Sequence, residues 1–240
     1  MPDLSSVMAD PEERLCIALD SPDPKTCLEL ARAVAPSAGV LKVGLAAFTA
    51  GGPDLARRVA QLRPVFLDLK LHDIPAQVAG AVTAAGNLGV GYASVHAAGG
   101  RAMLEAAVEA APEDLTLLAI TVLTSLDTAD LADVGVGGPL QAQVLRLTKM
   151  ALDAGAGGVV CSPHDVQAVR ARFGPRSEAG PLLVVPGIRP AGEPARDQKR
   201  SLSPRQALEL GADVLVVGRP ITLADDPAAS ARRVVQEMAA

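Results

Sequence analysis

The sequence predicts a single (β/α)₈ barrel, a TIM barrel, on three observations. Short apolar runs rich in β-branched residues alternate with helix-patterned segments along the whole chain. The alternation repeats eight times within 240 residues, a length at which eight strand–helix units close a barrel of ordinary size. The charges that interrupt the apolar runs gather at their carboxyl ends, where such barrels keep their chemistry. A doubly wound open sheet is the second solution for the same alternation.

The strand segments are LCIALD (15–20), GVLKVG (39–44), VFLDLK (65–70) and YASVHA (92–97). LLAITVL (117–123), GGVVCS (157–162), LLVVPGI (182–188) and VLVVGR (214–219) follow. Between them Leu, Val and Ala recur at helical spacing, as over 54–62, 75–86, 99–110, 139–154 and 203–210. A last helix over 226–239 takes in Pro227 and closes the chain. Two connections, 124–138 and 189–203, are longer than the few residues usual after a barrel strand and are placed to close over a ligand. Residues 1–13 read as a solvated, acidic lead-in, and no linker divides the rest.

Composition removes several classes of function. Hydrophobic residues make up 49% of the chain but aromatics only 2%, so the core is built from Ala, Val, Leu and Ile. So few aromatics argue against stacking on nucleic-acid bases as the mode of action, and a net charge of −5 with scattered Arg offers no basic stripe. Cys16, Cys27 and Cys161 lack CxxC spacing and read as small buried residues in a reducing compartment. The first residues carry no secretion signal and no stretch reaches the length of a membrane span, so a soluble, cytoplasmic protein is expected.

The strand ends supply Asp20, Lys42, Asp68, Lys70, His96, Thr124, Ser125, Arg189, Gly218 and Arg219. Only five Lys occur in the chain, and two of them, Lys42 and Lys70, stand there. In FLDLKLHDIP (66–75), Asp68 and Lys70 are two apart and point to one face, which in a barrel is the interior. Asp73 lies where the chain turns into the next helix at Ile74 and Pro75, a residue suited to a first helical turn. Lys42, Asp68, Lys70 and Asp73 alternate in sign and largely neutralise one another. Burying charges costs several kcal/mol each unless they are paired, so chemistry explains the cluster better than stability. Of the histidines, His72 is expected to turn away from Lys70 and pack against a helix, and His96 to line the mouth. Neither these nor His164 has metal-ligand spacing, and Cys161 has no identifiable base.

DLKLHDIP resembles the Asp-x-Lys-x-x-Asp signature of the orotidine 5′-monophosphate decarboxylase family, bacterial type. IALD (17–20), LKVG (41–44), VHAAGG (95–100), TVLTS (121–125), PGIRP (186–190), DQKR (197–200) and VGRP (217–220) resemble the family's other motifs in order and spacing, from about Arg14 onward. The resemblance implies a barrel that converts orotidine 5′-monophosphate to UMP and CO₂ with no metal and no organic cofactor. It implies Lys70 as proton donor to C6, Asp68 against the substrate carboxylate, and Lys42 and Asp73 completing the charged network. It further implies a homodimer in which Asp73 crosses to the partner's site. Asp20 and Lys42 would hold ribose hydroxyls, with Ile74 and Gln77 as further substrate contacts. Thr124 or Ser125 would meet the pyrimidine, and Gln198, Gly218 and Arg219, with Arg189 beside them, the phosphate. One position departs from the pattern: Ala76 and Gln77 stand where the family usually has Asn-Thr. Sugar-phosphate decarboxylases resembling the 3-keto-gulonate 6-phosphate enzyme share Asp-x-Lys-x-x-Asp and use Mg²⁺. A catalytically silent nucleotide-binding barrel is the alternative outside enzymology, although all four charges are present.

Overall fold

The sheet has no free edge: eight parallel strands pair in chain order, and the eighth returns to the first. The computed structural model describes residues 10–190 and 202–239. The strands are β1 (Leu15–Ala18), β2 (Val40–Gly44), β3 (Val65–Leu71), β4 (Tyr92–His96), β5 (Thr116–Ile120), β6 (Gly158–Val160), β7 (Leu182–Val185) and β8 (Val214–Val217). The helices are α1 (Pro24–Val34), α2 (Leu45–Ala60), α3 (Pro75–Gly86), α4 (Arg101–Ala110), α5 (Thr128–Asp133) and α6 (Leu140–Asp153). They continue with α7 (Val166–Phe173), α8 (Pro204–Glu209), α9 (Arg219–Thr222) and α10 (Pro227–Ala239). The open-sheet alternative is thereby excluded for this chain.

Local chemistry explains where the helices begin. Asp23 accepts the Thr26 amide at 2.8 Å and Pro24 opens α1 with its φ already set. Reciprocal side-chain caps start α5 (Asp127 with Asp130) and α8 (Ser203 with Gln206). Helix α2 begins at Leu45 rather than near 54, and it is kinked where Gly52 takes φ 59° ahead of Pro53. Only the half after the proline carries a regular apolar stripe, which is why the pattern pointed to a later start. The 124–138 connection contains a short helix of its own, α5, and another, α9, opens at Arg219.

Side chains alternate across the strands and make two cores. The larger lies between sheet and helices and includes Ile17, Leu41, Val43 and Leu183, all fully buried. The smaller fills the barrel axis with Cys16, Ala18, Val40, Phe66, Leu118, Leu182, Val184, Val214 and Val216, with Tyr92 and Val160 against them. Phe66 and Tyr92 give this narrow interior its aromatic bulk, so the axis is plugged and only its carboxyl-end mouth is open to chemistry.

At the opposite rim a buried ion pair ties three segments together. Arg170 Nη2 donates to Asp213 Oδ2, Nε to the Gly211 carbonyl at 2.9 Å and Nη1 to the Pro181 carbonyl at 2.9 Å. The same Asp213 oxygen accepts the Leu183 amide at 2.7 Å. Asp213→Ala would leave a guanidinium and an amide buried without that acceptor. The expected loss is ~3–5 kcal/mol, read as a fall in urea midpoint, with the properties of the distant mouth unchanged in the folded fraction.

Candidate active site

Strands β1, β2 and β3 bring their carboxyl ends together, and the register places them side by side: Ala18 beside Lys42 and Gly44 beside Asp68. From this arrangement a chain of alternating charge follows. Lys42 Nζ lies 2.9 Å from Asp20 Oδ1 and 3.6 Å from Asp68 Oδ2, and Lys70 Nζ lies 2.8 Å from the same Asp68 oxygen. Ser94 Oγ donates to the other Asp68 oxygen at 2.9 Å. Gly44 leaves room for the pair: a Cβ there would sit 2.7 Å from Asp20 Oδ1 and 2.8 Å from Lys42 Nζ and would displace the ends of these side chains.

Asp68 is 7% exposed and Lys42 8%, so neither charge is solvated in the ordinary way. Burial pushes the Asp68 carboxyl up, but Lys42, Lys70 and the Lys70 and Ser94 hydrogen bonds outweigh it, and the group titrates below its usual value. Burial likewise favours neutral Lys42, yet Asp20 and then Asp68 hold the ammonium above its usual value. Both groups stay ionised across the physiological range, as a preorganised electrostatic site needs.

Lys70 reaches this position at a cost. Its φ is 53°, a left-handed conformation that strains a non-glycine residue by ~1–3 kcal/mol. Ladder register also shifts between β3 and β4 at this point. Backbone strain stored beside an ion-paired lysine is characteristic of functional sites.

The charges line one side of a cavity of about 240 Å³ at the barrel mouth. Ile120, Val122, Leu123 and Val160 form an apolar wall, with Thr124 beside them. Strands β3 and β7 lie four apart in the closed eight-strand ring, so Arg189, just beyond β7, stands across the mouth from Lys70. Gly218 and Arg219 complete that side. The Arg189 amide donates to the Leu202 carbonyl at 2.9 Å, which ties together the ends of the 189–203 connection.

Asp20, Lys42, Asp68, Lys70, Thr124, Arg189, Gly218 and Arg219 therefore meet around one cavity. Ser125, Asp73, Ile74 and Gln77 are solvent-exposed and do not line it within this chain. Asp73 Oδ1 accepts the Ile74 amide at 2.7 Å at the entrance to α3. Gln198 lies outside the described residues. His72 corrects the sequence-based expectation: it is exposed and stacks on His96, with ring centroids 5.3 Å apart and planes 16° apart. Lys70's left-handed backbone breaks the strand alternation on which that expectation was built. His96 Nδ1 accepts the Ala98 amide at 3.1 Å, and burial, then His72 and Lys70, hold the ring below its usual value, hence neutral at pH 7. Ser94 was not singled out in the sequence, although a hydroxyl between Ala93 and Val95 on an apolar strand was the signal available.

Residues 13–234 match the orotidine 5′-phosphate decarboxylase / HUMPS family. A curated orotidine 5′-phosphate decarboxylase from Anaeromyxobacter sp. (strain K) is 56% identical over 225 residues, covering 93% of this chain and 97% of that protein. Another, from Thermobifida fusca (strain YX), is 49% identical over 226 residues, covering 93% of this chain and 95% of that protein. Among solved structures, orotidine 5′-phosphate decarboxylase from Lactobacillus acidophilus is similar with a TM-score of 0.80 and 34% identity, over 94% of this chain and 99% of that one.

The Asp68 shift has a consequence for stability against pH. A carboxyl depressed on folding stabilises fully above its unfolded value, near ~3.9, and that contribution is lost as pH falls through the lower folded value. Asp68→Asn removes the titration. The difference in unfolding free energy between parent and Asp68→Asn is expected to stay constant at neutral pH and to move against the parent below pH ~5, as measured by urea titrations.

Proposed function

The chain belongs to the orotidine 5′-phosphate decarboxylase / HUMPS family, and we propose that it removes CO₂ from orotidine 5′-monophosphate to give UMP, in pyrimidine biosynthesis, without metal or organic cofactor. One observation carries the reading: a lysine ammonium held 2.8 Å from a buried carboxylate, inside a mouth whose far side is lined by two arginines.

The chemistry demands that arrangement. Breaking the C6–carboxylate bond leaves the electron pair on C6, a ring carbon with little resonance help. The fixed Lys70 ammonium stabilises that charge as it forms, without solvent having to reorganise. It then gives C6 a proton, and water restores the ammonium. Asp68 faces the substrate carboxylate, and their repulsion is relieved as neutral CO₂ departs into the apolar wall of Ile120, Val122 and Val160. Lys42 keeps Asp68 ionised and, with Asp20, holds ribose hydroxyls. Thr124 stands on the cavity wall for the pyrimidine edge, with exposed Ser125 next to it. Arg219, Arg189, the Gly218 backbone and Gln198 receive the phosphate; the planar guanidinium fork suits its paired oxygens. Binding energy collected there, far from C6, is available to drive closure of the mouth.

The active form is proposed to be a homodimer. Asp73 and Gln77 point to solvent within one chain, and Ile74 and Leu45 are 64% and 57% exposed around the same mouth. An isologous pairing would cover these apolar side chains and carry Asp73, Ile74 and Gln77 to the neighbouring cavity. Cytoplasmic residence is supported by Cys16, Cys27 and Cys161, which form no disulfide and are buried. Among the described residues no helix is long and apolar enough to cross a membrane.

The purified protein is expected to decarboxylate orotidine 5′-monophosphate in excess EDTA, followed by loss of substrate absorbance. Turnover that required Mg²⁺, or that used a sugar phosphate instead, would contradict the proposal. Lys70→Ala is expected to lose at least ~10⁴-fold in kcat, since proton delivery and electrostatic stabilisation multiply. Mixing inactive Lys70→Ala with inactive Asp73→Ala chains tests the shared site. Random exchange puts one intact site in half of the dimers, so roughly a quarter of parental activity should return; no recovery would place Asp73 outside the partner's site.

A further inference from the structure

Ser94 has no exposed surface and sits in the middle of β4. Opposite it the ladder is irregular: Leu67 pairs with Ala93 and Leu71 with Val95, so Asp68, Leu69 and Lys70 face Ser94 alone. A regular parallel ladder would offer the Lys70 amide a backbone carbonyl, but the bulge takes that partner away. The amide donates to Ser94 Oγ at 2.8 Å instead. The same hydroxyl gives its own proton to Asp68 Oδ1 at 2.9 Å. One oxygen thus satisfies the main chain where Lys70 adopts φ 53° and also fixes the rotation of the carboxylate that Lys70 Nζ contacts at 2.8 Å.

We propose, on the decarboxylase reading above, that Ser94 is a positioning residue that holds the left-handed Lys70 backbone and the Asp68 carboxylate in register, so that ammonium and carboxylate meet C6 and its carboxyl group together. Ser94 does not line the cavity and acts only through these two residues. Alanine at this position keeps the strand and removes just the hydroxyl. It leaves the Lys70 amide and Asp68 Oδ1 without that partner, and the bulge loses the contact that favours its strained form. The phosphate- and ribose-facing residues are untouched, so the cost falls on the chemical step rather than on binding.

The test compares parent, Ser94→Ala and Ser94→Thr. For Ser94→Ala the expected result is a loss of roughly 30–100-fold in kcat, the scale of a misplaced catalytic group, with KM for orotidine 5′-monophosphate and affinity for UMP within about three-fold of parent. Ser94→Thr, which retains the hydroxyl, should recover most of that loss. Parental kcat in Ser94→Ala overturns the proposal, as does a loss of UMP affinity as large as the loss of kcat, which is the mark of a merely structural role. A crystal structure of Ser94→Ala supplies a readout independent of turnover. There the Lys70 φ should leave the positive region or its ammonium should leave Asp68; unchanged geometry overturns the role of Ser94 whatever the substrate. If the parent itself fails to act on orotidine 5′-monophosphate, the substrate assignment falls, and the crystallographic comparison still decides Ser94.

Discussion

The carboxylate of Asp68 is the interaction on which the rest of the site depends. Buried, it would not remain ionised without compensation, and three strands supply that compensation: Lys42 from β2, Lys70 from its own strand and Ser94 from β4. Each partner is held in turn. Lys42 is anchored by Asp20, and Lys70 by a backbone bent into the left-handed region and tied to Ser94. The result is two cations and two anions in fixed alternation, close to neutral overall and yet individually charged. Under the proposed function, a substrate carboxylate entering beside Asp68 would meet a lysine already fixed against that carboxylate. Little solvent needs to move as charge develops, which is the condition under which electrostatic stabilisation is strongest.

The barrel makes this possible by separating stability from chemistry. Closure removes sheet edges, and the axis is filled by Phe66, Tyr92 and small aliphatic side chains. Arg170 and Asp213 secure the opposite rim. Strain and buried charge at the mouth can then be tolerated because they are offset elsewhere. The same ring geometry sets Arg189 across from Lys70, so that the proposed phosphate site and the proposed site of bond breaking fall on opposite sides of one cavity.

Much of this was legible in the sequence because it follows period and position. Alternating side chains put Asp68 and Lys70 on one face, and strand ends in a barrel converge, so the residues around the cavity could be named before their distances were known. What stayed hidden depended on departures from regularity. The bulge in β3 reverses the alternation, which sent His72 toward His96 rather than a helix. It also gave Ser94 a task that no residue type announces, since a lone serine in a strand reads as filler. Helix α2 hid its first half behind Gly52 and Pro53, and α5 and α9 are too short to show a period. Asp73, Ile74 and Gln77 are exposed within one chain, and the role proposed for them rests on a second copy whose position no single-chain pattern encodes.

The central claim is that a fixed Lys70 ammonium stabilises negative charge at C6, and its most direct test omits the leaving carboxylate. UMP held in the site in deuterated water should exchange its C6 hydrogen for deuterium, because that exchange passes through the same carbanion and the same proton donor as decarboxylation. The account expects exchange by nuclear magnetic resonance with the parent protein and none above background with Lys70→Ala. Decarboxylation by the parent with no detectable C6 exchange would contradict it, and would shift the source of catalysis from stabilisation of the carbanion to repulsion between Asp68 and the departing group.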